Sequence, residues 1–233
     1  MINKLKEAIN EAQNIVFFTG AGMSTASGIP DFRSAKGLFT NNLHAEEIVS
    51  HSYFMNHPEQ FYDFYFNRMV FKDAKPNPGH IFIASLQKNK NVTVVTQNID
   101  GLHTMAGSKN VIELHGTIHS NHCMKCHKKY TLQEILNKKE KVPHCSCGGI
   151  IKPDVVLYEE ALDEDNIINA VKAIEEADTL VILGTSLSVY PAAGFIQYFR
   201  GRNLILINKS QTPADEYADI VIHDDINETF SRL

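Results

Sequence analysis

The chain has 233 residues and carries 22 Lys and Arg against 27 Asp and Glu, a formal net charge of −5. That balance excludes a nucleic-acid coat, which needs a strongly basic face, and no direct nucleic-acid binding is expected. With 43% hydrophobic and 21% charged residues the chain can bury a full core, which excludes intrinsic disorder; its length suits one large domain, or one plus a small module.

Residues 2–13 read as a helix that is polar from the start, with no apolar leader core. The run Ile15–Thr19 reads as a buried strand and passes into Gly20-Ala21-Gly22-Met23-Ser24-Thr25-Ala26-Ser27-Gly28. Glycines after a buried strand let backbone N–H groups approach a phosphate, and a helix starting there favours an anion. Thr25 stands where a dinucleotide fingerprint has its third glycine, and no acidic ribose ligand closes a second strand. The stretch reads about equally as an anion site and as a plain strand-to-helix turn. In Gly28-Ile29-Pro30-Asp31-Phe32-Arg33, Pro30 stiffens the loop and Phe32 offers an aromatic face. Arg33 offers a forked donor pair for phosphate or carboxylate, although Asp31 and Arg33 would also make an ordinary surface pair.

Residues 34–76 show no strand pattern and are rich in aromatics, among them Phe54, Phe61, Tyr62, Phe64, Tyr65 and Phe66. A helix is expected at 79–88, with His80 assigned to packing or a backbone contact. Strand Val92–Thr96 ends in Gln97-Asn98-Ile99-Asp100-Gly101, which puts amides and a carboxylate where open α/β sheets bind ligands. The alternative is an Asx-type turn capping the next helix; the density of polar groups favours the site. Strand Val111–Leu114 delivers His115-Gly116, a placement that suits a general base.

The only four cysteines are Cys123, Cys126, Cys145 and Cys147. Two close pairs in a cytosolic chain are the pattern of a tetrahedral zinc site with all four positions filled, hence structural. The second pair is C-x-C, so His144 stands as a minor alternative ligand to Cys145. The many lysines of this stretch read as a solvated face.

Val155–Leu157, Leu180–Leu183, Leu204–Ile207 and Ile220–Ile222 complete the strands, with helices at 165–177 and 191–199. Leu180 to Phe199 is uncharged over 20 residues, but Gly184, Thr185, Ser186, Ser188 and Pro191 divide it into strand, loop and helix instead of a membrane span. Small polar groups follow the strands again at Gly184-Thr185-Ser186, Asn208 and Asp224-Asp225-Ile226. The alternation implies an α/β chain, a Rossmann-like doubly wound parallel sheet with a smaller lobe made of a zinc-binding module and a helical insertion. The expected division is 1–33, 77–117 and 155–233 for the sheet domain, 34–76 for the insertion and 118–154 for the zinc module. A soluble, cytoplasmic protein is expected.

Taken together, Gly20-Ala21-Gly22-x-Ser24, Gly28 to Arg33, Thr96 to Asp100, His115-Gly116, the cysteine pairs, Gly184-Thr185-Ser186 and Asn208 resemble, in order, the sirtuin core over essentially the whole chain. The resemblance implies an NAD-dependent protein lysine deacylase, with NAD as consumed co-substrate, one structural zinc, and acyl-lysine proteins or peptides as partners. It implies that Gly20, Ala21, Gly22, Thr25, Asp31 and Arg33 serve the phosphates and nearby ribose. Phe32, Ile99 and Asp100 would surround the nicotinamide, Gln97 and Asn98 would order its ribose, and Gly184, Thr185, Ser186, Asn208, Asp225 and Ile226 would line the adenosine end. His115 would remove a ribose proton so that a hydroxyl attacks the acyl-derived carbon, with Asn98 assisting. The substrate peptide would pair with Val156, Leu157, Tyr158 and Glu159, and Cys123, Cys126, Cys145 and Cys147 would hold the zinc.

This chain has Tyr158-Glu159-Glu160 where many sirtuins carry Phe-Gly-Glu, so the local backbone there is in question. Sirtuins that remove acidic acyl groups resemble one another in a Tyr-x-x-Arg pair. Counting back from His80 puts Tyr62 and Tyr65 at those places, which implies an apolar pocket and deacetylation; a slip of three would pair Tyr65 with Arg68 and imply a longer or acidic acyl chain. Mono-ADP-ribosyl transfer is the second enzymatic reading. A non-enzymatic zinc-ribbon binding protein explains the cysteines but not the polar strand ends.

Overall fold

The computed structural model describes residues 1–31, 37 and 45–233. Phe32 and Arg33, expected at the ligand site, lie outside the described residues. The strands are β1 (Asn14–Thr19), β2 (Asn91–Thr96), β3 (Val111–Glu113), β4 (Gly116–Cys123), β5 (Lys129–Thr131), β6 (Ile151–Val155), β7 (Thr179–Leu183), β8 (Asn203–Ile207) and β9 (Ile220–Ile222). Six of them form one parallel sheet in the order β3-β2-β1-β7-β8-β9. Renumbered within the sheet, this is 3-2-1-4-5-6, the Rossmann order, whose direction reverses between β1 and β7.

Side chains alternate across the sheet, and both faces are covered. Phe17 points into a core with Leu5, Ile9, Ile83 and Phe230, under helices Ile2–Glu11, Pro78–Leu86 and Ile226–Phe230. Phe18 points the other way, into Ala170, Ile174, Leu187 and Phe195. Helix Glu164–Glu176 and the 3-10 turns at Ala192–Tyr198 supply that second layer. The expected helix at 191–199 is thus wound as 3-10. No helix among the described residues is long and apolar enough to cross a membrane.

One expected strand belongs elsewhere. Val155–Leu157 was read with the parallel sheet, but Val155 ends β6, which pairs antiparallel with β4 in a three-stranded sheet of order β5-β4-β6. A short β-branched run looks the same in either setting, so the pattern alone cannot assign it. Helices His51–Asn56 and Pro58–Phe64, followed by the π-helical turn Tyr65–Met69, stack Phe54, Phe61, Tyr62 and Tyr65 against Ile118, Leu132, Val155 and Leu157. The helical stretch and the small sheet therefore share one core.

Candidate functional site

The carboxyl ends of the parallel strands open into one cleft of about 850 Å³. At the reversal point the chain passes from β1 into the turn Ala21–Ser27, against the loop after β7. Gly20 N donates to Leu183 O at 3.0 Å and Gly22 N to Gly184 O at 2.8 Å. A Cβ on Gly20 would lie 2.7 Å from Thr185 Cβ, and one on Gly22 2.7 Å from Gly184 Cα. These glycines thus let two backbones cross, in addition to leaving room at the cleft floor. The turn is 3-10, ends on left-handed Gly28 (φ 85°), and places Ala21, Gly22 and Thr25 on the cleft wall.

The β2 loop is held on several sides. Asn98 N donates to Thr96 Oγ1 at 3.0 Å, and Asn98 Nδ2 to Gly20 O at 3.0 Å and Ser24 Oγ at 3.1 Å. Ser24 Oγ in turn donates to Asp100 Oδ2 at 2.6 Å, and Leu102 N donates to Asp100 Oδ1 at 2.9 Å. Burial pushes the Asp100 carboxyl up from its ordinary value, with those two donors opposing the shift. Gln97 Nε2 donates to Thr185 Oγ1 at 3.1 Å, tying the loop to the β7 side.

His115 follows β3, and its Nδ1 lies 2.9 Å from Gln97 O. A carbonyl only accepts, so Nδ1 carries the proton and the neutral ring keeps its lone pair on Nε2. Burial lowers the His115 pKa, partly opposed by that hydrogen bond. The neutral ring is therefore held in one tautomer on the cleft wall.

Against the ends of β1 and β2 sits a buried histidine pair, His80 and His103. His80 Nδ1 accepts from Asn77 N at 3.3 Å in a capping box, the backbone contact expected for it. Thr19 Oγ1 spends its proton on Thr96 Oγ1 at 2.8 Å, so His103 Nε2 donates to Thr19 Oγ1 at 3.1 Å. The two rings lie 4.6 Å apart, and burial lowers His80 to about 4 and His103 to about 3.

At the far end of the cleft, Asn208 Nδ2 donates to Ser210 O at 2.7 Å. Asp225 caps the last helix through Asn227 N and Glu228 N, and pairs with Lys209 at 3.0 Å. His223 joins Asn208 O at 2.9 Å to Asp215 at 2.8 Å.

The segment after β6 forms the opposite wall. Val156 N donates to His115 O at 2.9 Å, and Tyr158 N to Val49 O at 3.0 Å. Glu159 adopts a left-handed backbone (φ 76°), the conformation that glycine favours. Its carboxylate accepts from Ser52 N and Ser52 Oγ, both at 2.8 Å, which offsets the strain. Glu160 is held at 3.0 Å by the buried Lys152 and at 2.8 Å by His51. Val49, Met69, Phe71, Ile118, Val155 and Leu157 make this end apolar. Tyr62 and Tyr65, the expected acyl-pocket positions, are instead 1% and 0% exposed in the aromatic core, and Arg68 is exposed and outside the cleft lining. Both rings pack into the aromatic cluster with Phe54 and Phe61, a tertiary contact that a count back from His80 does not register.

The four cysteine Sγ atoms all lie within 4.8 Å of one another, with Cys123–Cys147 at 3.5 Å and Cys126–Cys145 at 3.6 Å. A zinc–sulfur tetrahedron with bonds of about 2.3 Å has edges of roughly 3.8 Å, so the set fits one structural zinc ion. Each pair turns on a left-handed residue, His127 (φ 57°) and Gly148 (φ 79°). His144 Nδ1 bonds Val142 O at 2.7 Å and stands apart from the sulfur cluster, which removes it as a ligand.

The cleft lining thus gathers Gly20, Ala21, Gly22, Thr25, Asp31, Gln97, Asn98, Ile99, Asp100 and His115 with Gly184, Thr185, Ser186, Asn208, Asp225 and Ile226, and Val156 to Glu159 close its other side. A model of the Sir2 family matches residues 20–191. The chain belongs to the Sir2 family. A Sir2 relative named NAD-dependent protein deacetylase, from Clostridium perfringens (strain 13 / Type A), is 56% identical over 239 residues, covering 100% of this chain and 98% of its own. Another of that name, from Staphylococcus aureus (strain N315), is 51% identical over 231 residues, covering 97% and 94%. A solved structure described as Sir2 with a p53 peptide and NAD+ superposes with a TM-score of 0.88 at 36% identity, covering 100% of this chain and 96% of that one. A second, with a deacetylated p53 peptide and 3'-O-acetyl ADP ribose, gives 0.93 at 36% identity, covering 99% and 96%.

Sequence reasoning did not single out Val49, Met69, Phe71, Val189, Tyr190 or Lys209 on this Sir2 cleft. The apolar ones carry no local signature, because a cleft-lining Met or Val reads as core. Lys209 was legible only as a neighbour of Asn208.

Proposed function

We propose that the protein is an NAD-dependent protein lysine deacetylase that moves the acyl group from lysine to ADP-ribose and releases nicotinamide. The observation that carries this is His115: a neutral imidazole, its Nδ1 proton committed to Gln97 O, its Nε2 free to accept a proton inside the cleft. Relatives named NAD-dependent protein deacetylase, and a separate Sir2 structure described with a p53 peptide and NAD+, support the reading. The cleft suits a dinucleotide: Gly20 and Gly22 leave its floor free of side chains, and its two ends are lined by different polar sets.

When bound, NAD supplies an anomeric carbon with a charged pyridinium leaving group. Asn98, its Nδ2 spent on Gly20 O and Ser24 Oγ, keeps Oδ1 to order the nicotinamide ribose. Ile99 and Asp100 face the nicotinamide. His115 Nε2 accepts the ribose hydroxyl proton. Gly20 to Thr25 and Asp31 serve the phosphates and nearby ribose, while Thr185, Ser186, Asn208, Asp225 and Ile226 serve the adenosine end. Val156 to Glu159 line the path of an extended acyl-lysine peptide, with the N–H groups of Val156, Leu157 and Tyr158 already bonded within the protein. The apolar wall of Met69, Phe71 and Leu157, with no arginine among the described lining residues, favours a small neutral acyl group over an acidic one. The Ser52 bonds to Glu159 keep a glycine-like backbone at the position where many sirtuins carry glycine, which supports deacylation over mono-ADP-ribosyl transfer. Four thiolate ligands suit a reducing cytoplasm, and the net charge of −5 suits protein over nucleic-acid substrates.

The test is mass spectrometry of an acetyl-lysine peptide incubated with the protein, with and without NAD. Deacetylation only with NAD, matched by nicotinamide and O-acetyl-ADP-ribose, is expected. Nicotinamide release without deacetylation would replace the reading with ADP-ribosyl transfer or another acyl group.

A further inference from the structure

His119 lies on β4, outside every motif above, with its ring on the back of the β2 loop. Its Nε2 stands 2.9 Å from Asp100 O. The acceptor is a carbonyl, so the imidazole donates. One residue earlier on the same strand, Ile118 N donates to Ile99 O at 3.0 Å. Consecutive residues of β4 thus grip consecutive carbonyls of the loop that faces the cleft. The contact is built for this ring: a Cβ on Gly101, itself left-handed (φ 70°), would lie 2.7 Å from His119 Cδ2. From the other side, Ser24 Oγ and Leu102 N fix the Asp100 carboxylate. Of these ties, the His119 bond is the one from an exposed side chain.

We propose that His119 is a positioning residue, which fixes the Ile99–Asp100 wall by donating Nε2–H to Asp100 O and so sets how tightly the nicotinamide end of the co-substrate is held. The proposal rests on the reading of the cleft as an NAD and acyl-lysine site. It assigns His119 no contact with substrate.

The experiment compares wild type, His119→Phe and His119→Gln in steady-state deacetylation of an acetyl-lysine peptide, with free nicotinamide as inhibitor. Phe keeps the flat ring without a donor; Gln places an amide N–H near the position of Nε2. His119→Phe should raise the KM for NAD and weaken nicotinamide inhibition by about three- to tenfold, the worth of one hydrogen bond, with the peptide KM unchanged. His119→Gln should restore both. Wild-type kinetics in His119→Phe would overturn the proposal. So would a His119→Gln variant as impaired as Phe, or an equal rise in the peptide KM, since either marks a merely structural role. If His119→Phe melts early or loses zinc, His119→Ala takes its place with the same expectations. A wild-type protein without NAD-dependent turnover would instead overturn the functional reading itself.

Discussion

His115 Nδ1 and Gln97 O are joined at 2.9 Å, and that one bond decides which nitrogen of the imidazole can act. Burial, partly opposed by the Gln97 bond, holds the pKa of this ring below the ordinary histidine value and so favours the form with Nε2 unprotonated. The acid limb of the kcat/KM profile is therefore expected below about 6.5, with activity lost as pH falls and the ring protonates. A limb above that value would show that another group limits the rate.

Replacing His115 with Ala should leave the melting temperature close to wild type and lower deacetylation by about a hundredfold or more. Nicotinamide exchange, which precedes the proton transfer assigned to this ring, should survive better than deacetylation. Equal loss of both would point to a role in binding.

Cys123 is fully buried at the end of β4, and its sulfur lies within 4.8 Å of the three other thiols. Cys123→Ser should lower zinc content, melting temperature and activity together, and a chelator should do the same to wild type, since a structural metal contributes folding energy. Zinc measured by atomic absorption beside a thermal melt checks it; a stable, active, zinc-free variant would contradict it.

Glu159 offers an ordering of variants. Glu159→Ala keeps the left-handed backbone but loses both bonds to Ser52, so the peptide KM should rise. Glu159→Gly relieves the strain while losing the same bonds, and should be less damaging than Ala. Peptide KM measured at saturating NAD distinguishes them.

The His80–His103 pair predicts acid sensitivity of the fold. Both rings ionise near 6.5 when unfolded but only near 4 and 3 when folded. Between those values the unfolded chain binds more protons, so stability present above about 6.5 is lost as pH falls towards 4. For His80 alone the loss is on the order of 3 kcal/mol. Urea melts at pH 7 and pH 5 check it. His103→Gln, which retains a donor to Thr19, should flatten the difference.

Much of this was legible in the sequence, for identifiable reasons. Continuous runs such as Val181-Ile182-Leu183 mark strands buried on both faces, and polar residues at their ends mark the cleft. The cysteine spacing marks the zinc site because few other uses of clustered thiols exist in such a chain. Illegible features depend on partners far away in sequence. Val155 joined the small sheet because Gly116, 39 positions earlier in the chain, pairs with it. Met69 closes a π-helical turn and Phe71 follows it, and no apolar pattern encodes that wider local repeat. The left-handed turn at Glu159 required Ser52, which lies on another element. His119 carried no motif at all; only its distance to Asp100 O reveals it.

Strand β4 starts directly after His115 and ends on Cys123, with a register irregularity between Gly116 and Asn121. The chemistry and the metal are thus the two ends of a single tether about 25 Å long. Between those ends, within the irregular stretch, the strand carries Ile118 and His119, which hold the β2 loop. An electrophile or oxidant that captures the Cys123 thiolate would untie the rope at its anchor and slacken the strand that carries Ile118 and His119. Turnover would then report on the state of the thiols, so that a change in the cell's zinc or redox balance would be registered as silence at a lysine.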